Sequence, residues 1–228
     1  SAVLENLQPT SLYYYRVYAT NSAGGTWSGA KSFWTRPAVG RQYRWMVPIT
    51  FVGYTRATTL TNFPALIHLD PSRLEGFSYE QFLTTNRADL RITDETRETE
   101  LPYEVESWNI GGTSYLWVQM PLLTNGTTLY LFWGRENEQP PSFTTNGQVW
   151  SEGFEAVWHL NSTNPPDATR RGYDGSATGD VGMASSTWIN GALDFNGTDA
   201  AIITATSNLV LTTAFTLKGW AYPRNTHA

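Results

Sequence analysis

The 228-residue sequence contains no cysteine, which excludes disulfides, thiolate metal sites and a cysteine nucleophile. That absence does not fix the compartment. Positive charge is also scarce: fifteen Lys and Arg stand against twenty Asp and Glu, for a formal net charge of −5 and a pI near 5.2. With no basic cluster, the chain is not expected to bind nucleic acid or an anionic membrane, and neutral or cationic partners stay open. No apolar run reaches the roughly 20 residues of a membrane span, and no signal peptide is evident. Because it opens on SAVLENL without methionine and stops at NTHA after a strand-like run, the sequence reads as a stretch of a longer polypeptide. No GxSxG elbow, HExxH helix, phosphate-cradling loop or dinucleotide fingerprint occurs.

Aromatic residues are plentiful instead. Ten Trp, twelve Tyr and ten Phe make up 14% of a chain that is 40% hydrophobic, a composition suited to half-buried pleated surfaces and not to long helices. Strand-like runs recur with Pro, Gly, Asn and Asp between them, the rhythm of sandwiches. The expected fold class is therefore all-β, with antiparallel β-sandwich units in tandem. Three units are expected, at residues 1–38, 39–145 and 146–228. Low charge with abundant Trp, Tyr, Thr, Asn and Gly points to an extracellular or cell-envelope protein.

The stretch ELPYEVESWNIGGTSYLWVQMP, residues 100–121, reads as a hairpin. Side chains on a strand alternate between faces, so Tyr103, Val105 and Ser107 share one face while Glu104, Glu106 and Trp108 share the other. Leu116, Val118 and Met120 form an apolar row that belongs with Val105 in the core. Pairing Trp108 with Tyr115, Glu106 with Trp117 and Glu104 with Gln119 keeps that parity; a slip of one residue would set the glutamates level with Leu116 and Val118. Gly111 and Gly112 are expected to supply positive φ in the turn. The outer face then presents Glu104, Glu106, Trp108, Tyr115, Trp117 and Gln119 together.

Three readings of that face compete. As a carbohydrate-binding surface, Trp108 and Trp117 would form a platform for sugar ring faces, and Glu104, Glu106 and Gln119 would read hydroxyls. Alternatively, Trp117 is buried against an adjoining loop or domain with the glutamates beside it, since aromatic cross-strand pairs stabilise a sheet by roughly 0.2–1 kcal/mol each without any ligand. As a glycosidase pair, Glu104 and Glu106 would have α-carbons roughly 6.5–7 Å apart, overlapping the roughly 6.5–9.5 Å carboxyl separation of inverting enzymes. They project in parallel from one surface, however, and nothing in the sequence desolvates either, so the chain is not expected to be an enzyme.

Within residues 1–36, Leu7, Pro9, Tyr13, Tyr15, Val17 and Ala19, followed by NSAGG and SFWT, resemble the last two strands of a fibronectin type III domain. The resemblance implies a scaffold in which Tyr13 is the tyrosine corner, its hydroxyl bonded back to the backbone. Two strands are marginal alone, so this segment is expected to lean on its neighbour or fray. The set YRWMVPI, NFPALIHLD, ADLRITD, LPYEVESWN, YLWVQMP and LYLFWG closely resembles the bacterial DUF2341 family. That implies a β-rich module, often joined to lectin-like domains in secreted or envelope proteins, with no known catalytic residues. VWHLN, PPDATRRGYDGSATG, INGALDFNGTDAAI and AFTLKGWAYP resemble the opening strands of a laminin G-like, concanavalin A-type jelly roll whose distal strands do not follow. Such an incomplete sandwich is expected to leave apolar faces and edges exposed.

Together these resemblances imply a non-catalytic segment of a multidomain protein, engaged in carbohydrate binding or adhesion with a polysaccharide or glycoconjugate. They imply two alternatives: a periplasmic structural or sensing region of a TolQ- or ExbB-type proton-channel fusion, or a plain spacer. Calcium is the only cofactor the residues suggest. The span 88–106 holds Asp89, Asp94, Glu95, Glu98, Glu100, Glu104 and Glu106, which offer hard oxygen ligands. Yet it lacks EF-hand spacing, and Arg91 and Arg97, with Arg87 just ahead, favour an ion-paired surface. Asp89 and Asp94 are expected to accept turn hydrogen bonds. The jelly-roll resemblance implies calcium near Asp167, Asp174 and Asp180. His68 and His159 are expected to be structural, and His227 belongs to the chain end. The sequons at Asn125, Asn161 and Asn196 mark Asn-rich turns.

Overall fold

The computed structural model describes residues 4, 7–8, 11–35, 42–185, 189–204, 209 and 214–223. Pro9, residues 36–40 and His227 lie outside them. The protein is all-β, built of antiparallel sheets in tandem; among the described residues helical geometry is confined to short 3₁₀ turns. Among the described residues no helix is long and apolar enough to cross a membrane.

Two small ribbons come first. Leu12–Tyr15 (β1) pairs with Lys31–Trp34 (β4), and Tyr18–Asn21 (β2) pairs with Gly24–Trp27 (β3). The Tyr13 hydroxyl accepts a hydrogen bond from the Gln8 N–H at 2.8 Å and the Tyr13 ring stacks on Phe33. Tyr14, Val17, Tyr18 and Trp27 are all exposed, so these ribbons contribute little apolar burial.

The central unit is a sandwich of two three-stranded sheets. Trp45–Thr50 (β5), Thr128–Trp133 (β10) and Arg91–Thr93 (β7) form one, with β10 in the middle. Leu60–Leu69 (β6), Ser114–Leu123 (β9) and Tyr103–Ser107 (β8) form the other, with β9 in the middle. Alternation explains the core: Leu129, Leu131 and Trp133 of β10 are 0% exposed, as is Ile92 of β7, and they face Leu116, Val118 and Met120 of β9 and Ile67 and Leu69 of β6. Each such aliphatic side chain contributes about 1.5–3 kcal/mol through burial. Trp133 stacks on Phe82, meets Phe77 edge-on and donates from its indole to Gln81.

The hairpin register differs from the sequence expectation. Tyr103 lies opposite Val118, Glu104 opposite Trp117 and Val105 opposite Leu116, two residues away from the expected pairing but with the same parity. A bulge between Val105 and Ser107 then brings Ser107 opposite Tyr115. A bulge inserts one unpaired residue and reverses the facing of the residues after it, so Trp108 turns inward. There it makes T-shaped contacts with Tyr79 and Phe82 at 5.2 and 5.1 Å and packs, partly buried, against the core cluster. The turn also differs: neither Gly111 nor Gly112 has positive φ. Asn109 makes the turn instead, its side-chain oxygen accepting from Gly111 N–H and its carbonyl from Gly112 N–H. Glycine suits position 112 because a Cβ there would meet the Asn109 amide at 2.8 Å.

Downstream, Gly175–Thr178 (β11) pairs with Ala201–Thr204 (β14), and Val181–Met183 (β12) with Leu193–Phe195 (β13). Residues 214–223 form no strand, and Leu217, Trp220 and Tyr222 are almost wholly exposed.

Candidate functional site

The outer face of the β6–β9–β8 sheet carries Leu66 beside Trp117 and Glu104 across from it, with Pro64 beside Gln119 one pair away. This is the row that the sequence nominates, yet the chain itself covers much of it. Residues 148–150 form a 3₁₀ turn that sets Trp150 against Trp117, ring centres 5.2 Å apart. The strand expected at VWHLN is reduced to one isolated bridge, Trp158 to Asp167, and Leu160 has a positive φ of 55°. Released from a ladder, His159 reaches the sheet.

His159 lies between the two glutamates and latches the later segment onto the sheet. Its Nε2 is 3.0 Å from Glu104 Oε1, and its Nδ1 is 2.6 Å from Glu106 Oε2. An ionised carboxylate only accepts, so both ring nitrogens must donate, which only the imidazolium does. Burial alone would lower the His159 pKa; hydrogen bonds to Glu104 and Glu106, with their negative charge, overcome it and push it up to about 9. Burial likewise acts to raise Glu106, whose side chain is 4% exposed, but His159 and the donors Trp117 and Asn190 outweigh it and hold the carboxyl below its usual range. Trp117 Nε1 donates to Glu106 Oε2 at 2.9 Å, and Trp150 Nε1 donates to Glu104 Oε2 at 2.7 Å. Asn190 Nδ2 donates to the Glu106 carbonyl, and Gln119 Nε2 donates to Ser151 Oγ at 3.0 Å.

Of the six nominated residues, Glu104, Glu106, Trp117 and Gln119 thus come together, with partners in the segment from 150 to 190. Trp108 is parted from them by the bulge and packs, partly buried, against the core. Tyr115 meets His68 edge-on at 4.8 Å and lies at the end of the face. Sequence reading missed Trp150, Ser151 and Asn190, and left His159 apart from the glutamates. Chemically, one imidazolium is shared by two carboxylates, which leaves the trio with one net negative charge, and Glu106 is held ionised, the reverse of the raised pKa that a general acid requires.

The other candidates have local roles. Asp89 is 0% exposed and accepts from Leu83 N–H, Thr84 Oγ1 and Gly134 N–H. Asp94 closes a turn by accepting from Thr96. Arg91 is not a solvated surface group: it is 8% exposed, ion-paired to Glu138 and Glu100, and donates to the Ala88 and Leu90 carbonyls. Asp167 Oδ1 accepts from Val157 and Thr169 N–H, and Oδ2 accepts from Thr169 Oγ1 and Tyr173 N–H. Burial would raise its pKa, and these donors hold it low. Asp174 accepts from Asp167 N–H. Among the described residues no three His, Cys, Asp or Glu side chains are placed to hold a metal ion.

Beside the latch, an open cleft of about 820 Å³ is lined by Arg87, Ser107, Trp108, Asn109, Tyr115 and Asn190, among others. The Arg87 guanidinium lies 5.2 Å from the Trp108 ring centre. Compared with protein-family models, curated proteins and solved structures, the chain matches none of them.

Proposed function

We propose that this chain is a non-catalytic segment of a multidomain extracellular or envelope protein, in which the outer face of the β6–β9–β8 sheet seats the segment C-terminal to it. The units on this reading are the end of a fibronectin type III-like domain, a DUF2341-like sandwich and the start of a laminin G-like unit. The observation that carries the proposal is the His159 bridge between Glu104 and Glu106. Four polar groups suited to reading sugar hydroxyls, on Glu104, Glu106, Trp117 and Gln119, already have partners in the chain. A buried charge pair fixes one arrangement because wrong pairings leave an uncompensated charge. Denaturant unfolding tests this. The indole signals of Trp117 and Trp150 should change together with the methyl signal of core residue Leu131. In a Glu104→Gln/Glu106→Gln variant the indole transition should separate and move to lower urea. Separate transitions in the wild-type chain would contradict the reading. Saccharide adhesion is a second reading, favoured by the open cleft at the edge of the same sheet.

A further inference from the structure

We propose that the cleft lined by Arg87, Ser107, Asn109 and Tyr115 binds an acidic saccharide, with the sugar carboxylate held by Arg87. This deepens the saccharide reading and rests on it. Its volume of about 820 Å³ falls within the roughly 300–1,000 Å³ of small-ligand sites. Like Arg16, Arg56, Arg73, Arg97 and Arg170, and unlike Arg44, Arg91, Arg135 and Arg171, Arg87 has no carboxylate within salt-bridge range among the described residues, and of these unpaired arginines it is the one that lines the cleft. Its Nε is buried and out of a ligand's reach, and among the described residues its two terminal nitrogens make no hydrogen bond to the protein, which leaves them as the donors open to a ligand. A guanidinium presents paired N–H groups that match a carboxylate in two parallel bonds.

The rest of the lining suits a polyol. Among the described residues, neither the Tyr115 hydroxyl nor Ser107 Oγ makes a hydrogen bond to the protein, and the Asn109 amide sits at the rim, exposed. The Trp108 ring at the cleft carries the Arg87 guanidinium 5.2 Å from its centre. Glu106 also borders the cleft, but its carboxylate is only 4% exposed and is turned to His159, a cation that it shares with Glu104. Ile189 and Asn190 supply one wall, so the cleft is complete only when the segment from 150 to 190 is docked.

Isothermal titration of the intact chain with tri-galacturonate, its full methyl ester, a sulfated neutral trisaccharide and a glutamate trimer tests the proposal. Tri-galacturonate should bind at least tenfold more tightly than each of the others. Arg87→Gln should weaken it at least tenfold, and Tyr115→Phe severalfold, leaving the faint affinity for the ester unchanged with Arg87→Gln. Equal binding of acid and ester would keep saccharide adhesion and overturn the role of Arg87. Preference for the sulfated sugar or the peptide would overturn the acidic-sugar assignment, and no binding of any saccharide would overturn both. The acid-to-ester ratio on the wild-type chain needs no variant, so the test stands even if Arg87→Gln misfolds.

Discussion

Replacing His159 by Ala tests how the outer face is closed. The His159 side chain is 14% exposed and Glu106 only 4%, so the variant strands two carboxylates, one of them nearly out of water. Removing one partner of a buried pair costs about 3–5 kcal/mol, chiefly through the charge left behind. An independent route gives a similar size. Raising the imidazole from 6.5 to about 9 corresponds to about 3 kcal/mol at 1.36 kcal/mol per pKa unit. The assay is hydrogen exchange of the Trp117 and Trp150 indole N–H groups, which reports local opening directly. Both should exchange at least a hundredfold faster in His159→Ala. Combining it with Glu106→Gln should recover part of the loss, with a coupling of about 1–3 kcal/mol. Arg171→Ala, which breaks the half-exposed pair with Glu155, is the control and should cost at most about 1 kcal/mol. Were His159→Ala no more costly than that control, the bridge would be a surface contact and the reasoning wrong.

Other consequences are simpler to state. Trp108→Ala should destabilise the central sandwich by about 1–3 kcal/mol in urea melts, less than the roughly 3–5 kcal/mol of a fully buried aromatic, because Trp108 is only partly buried; no measurable loss would place the indole outside the packed interior. Asp167→Ala removes four accepted hydrogen bonds and should melt the loop from 157 to 173, seen as lost amide protection there but not in β10. Since both Asp167 oxygens already have protein donors, millimolar calcium or EDTA should leave the thermal midpoint unchanged. Tyr13→Phe removes the bond from Gln8 and should loosen the first ribbon by about 0.5–1.5 kcal/mol, measured by exchange of the Gln8 and Tyr13 amides.

Much of the sandwich was legible because alternation is local. Leu116, Val118 and Met120 announce their face from spacing alone, and their partners across the layers emerge from Leu129 and Leu131 by the same rule. Register was not legible to that depth. Shifting the hairpin by two residues leaves every face unchanged, so hydrophobic pattern cannot choose between the two pairings. The choice comes from the bulge at Glu106, which trades ladder regularity for burial of Trp108 on Phe82 and Tyr79. The site was half legible: Glu104, Glu106 and Trp117 stand out within one strand pair, whereas His159 lies 55 residues from Glu104 and no local pattern links them. A signal was nonetheless present. Two acids flanking an aromatic row on a half-apolar sheet face call for a cation, and His159 sits amid Val157, Trp158 and Leu160, a setting that favours burial.

The proton on His159 links stability to pH with a definite sign. Its pKa is raised on folding, so its contribution is complete below about 6.5 and fades as pH rises through about 9. Glu106 is lowered on folding, so its contribution is present above the ordinary carboxylate range and is lost as pH falls through its depressed value. The latch is therefore strongest between about pH 5 and 6.5. The most direct measurement is an NMR titration of the His159 ring nitrogens in the intact chain. Both nitrogens should carry protons at pH 7.5 and titrate near 9. A neutral ring at pH 7.5, titrating near 6.5, would contradict the claim that His159 binds Glu104 and Glu106 as a cation and seats the C-terminal segment on the sheet.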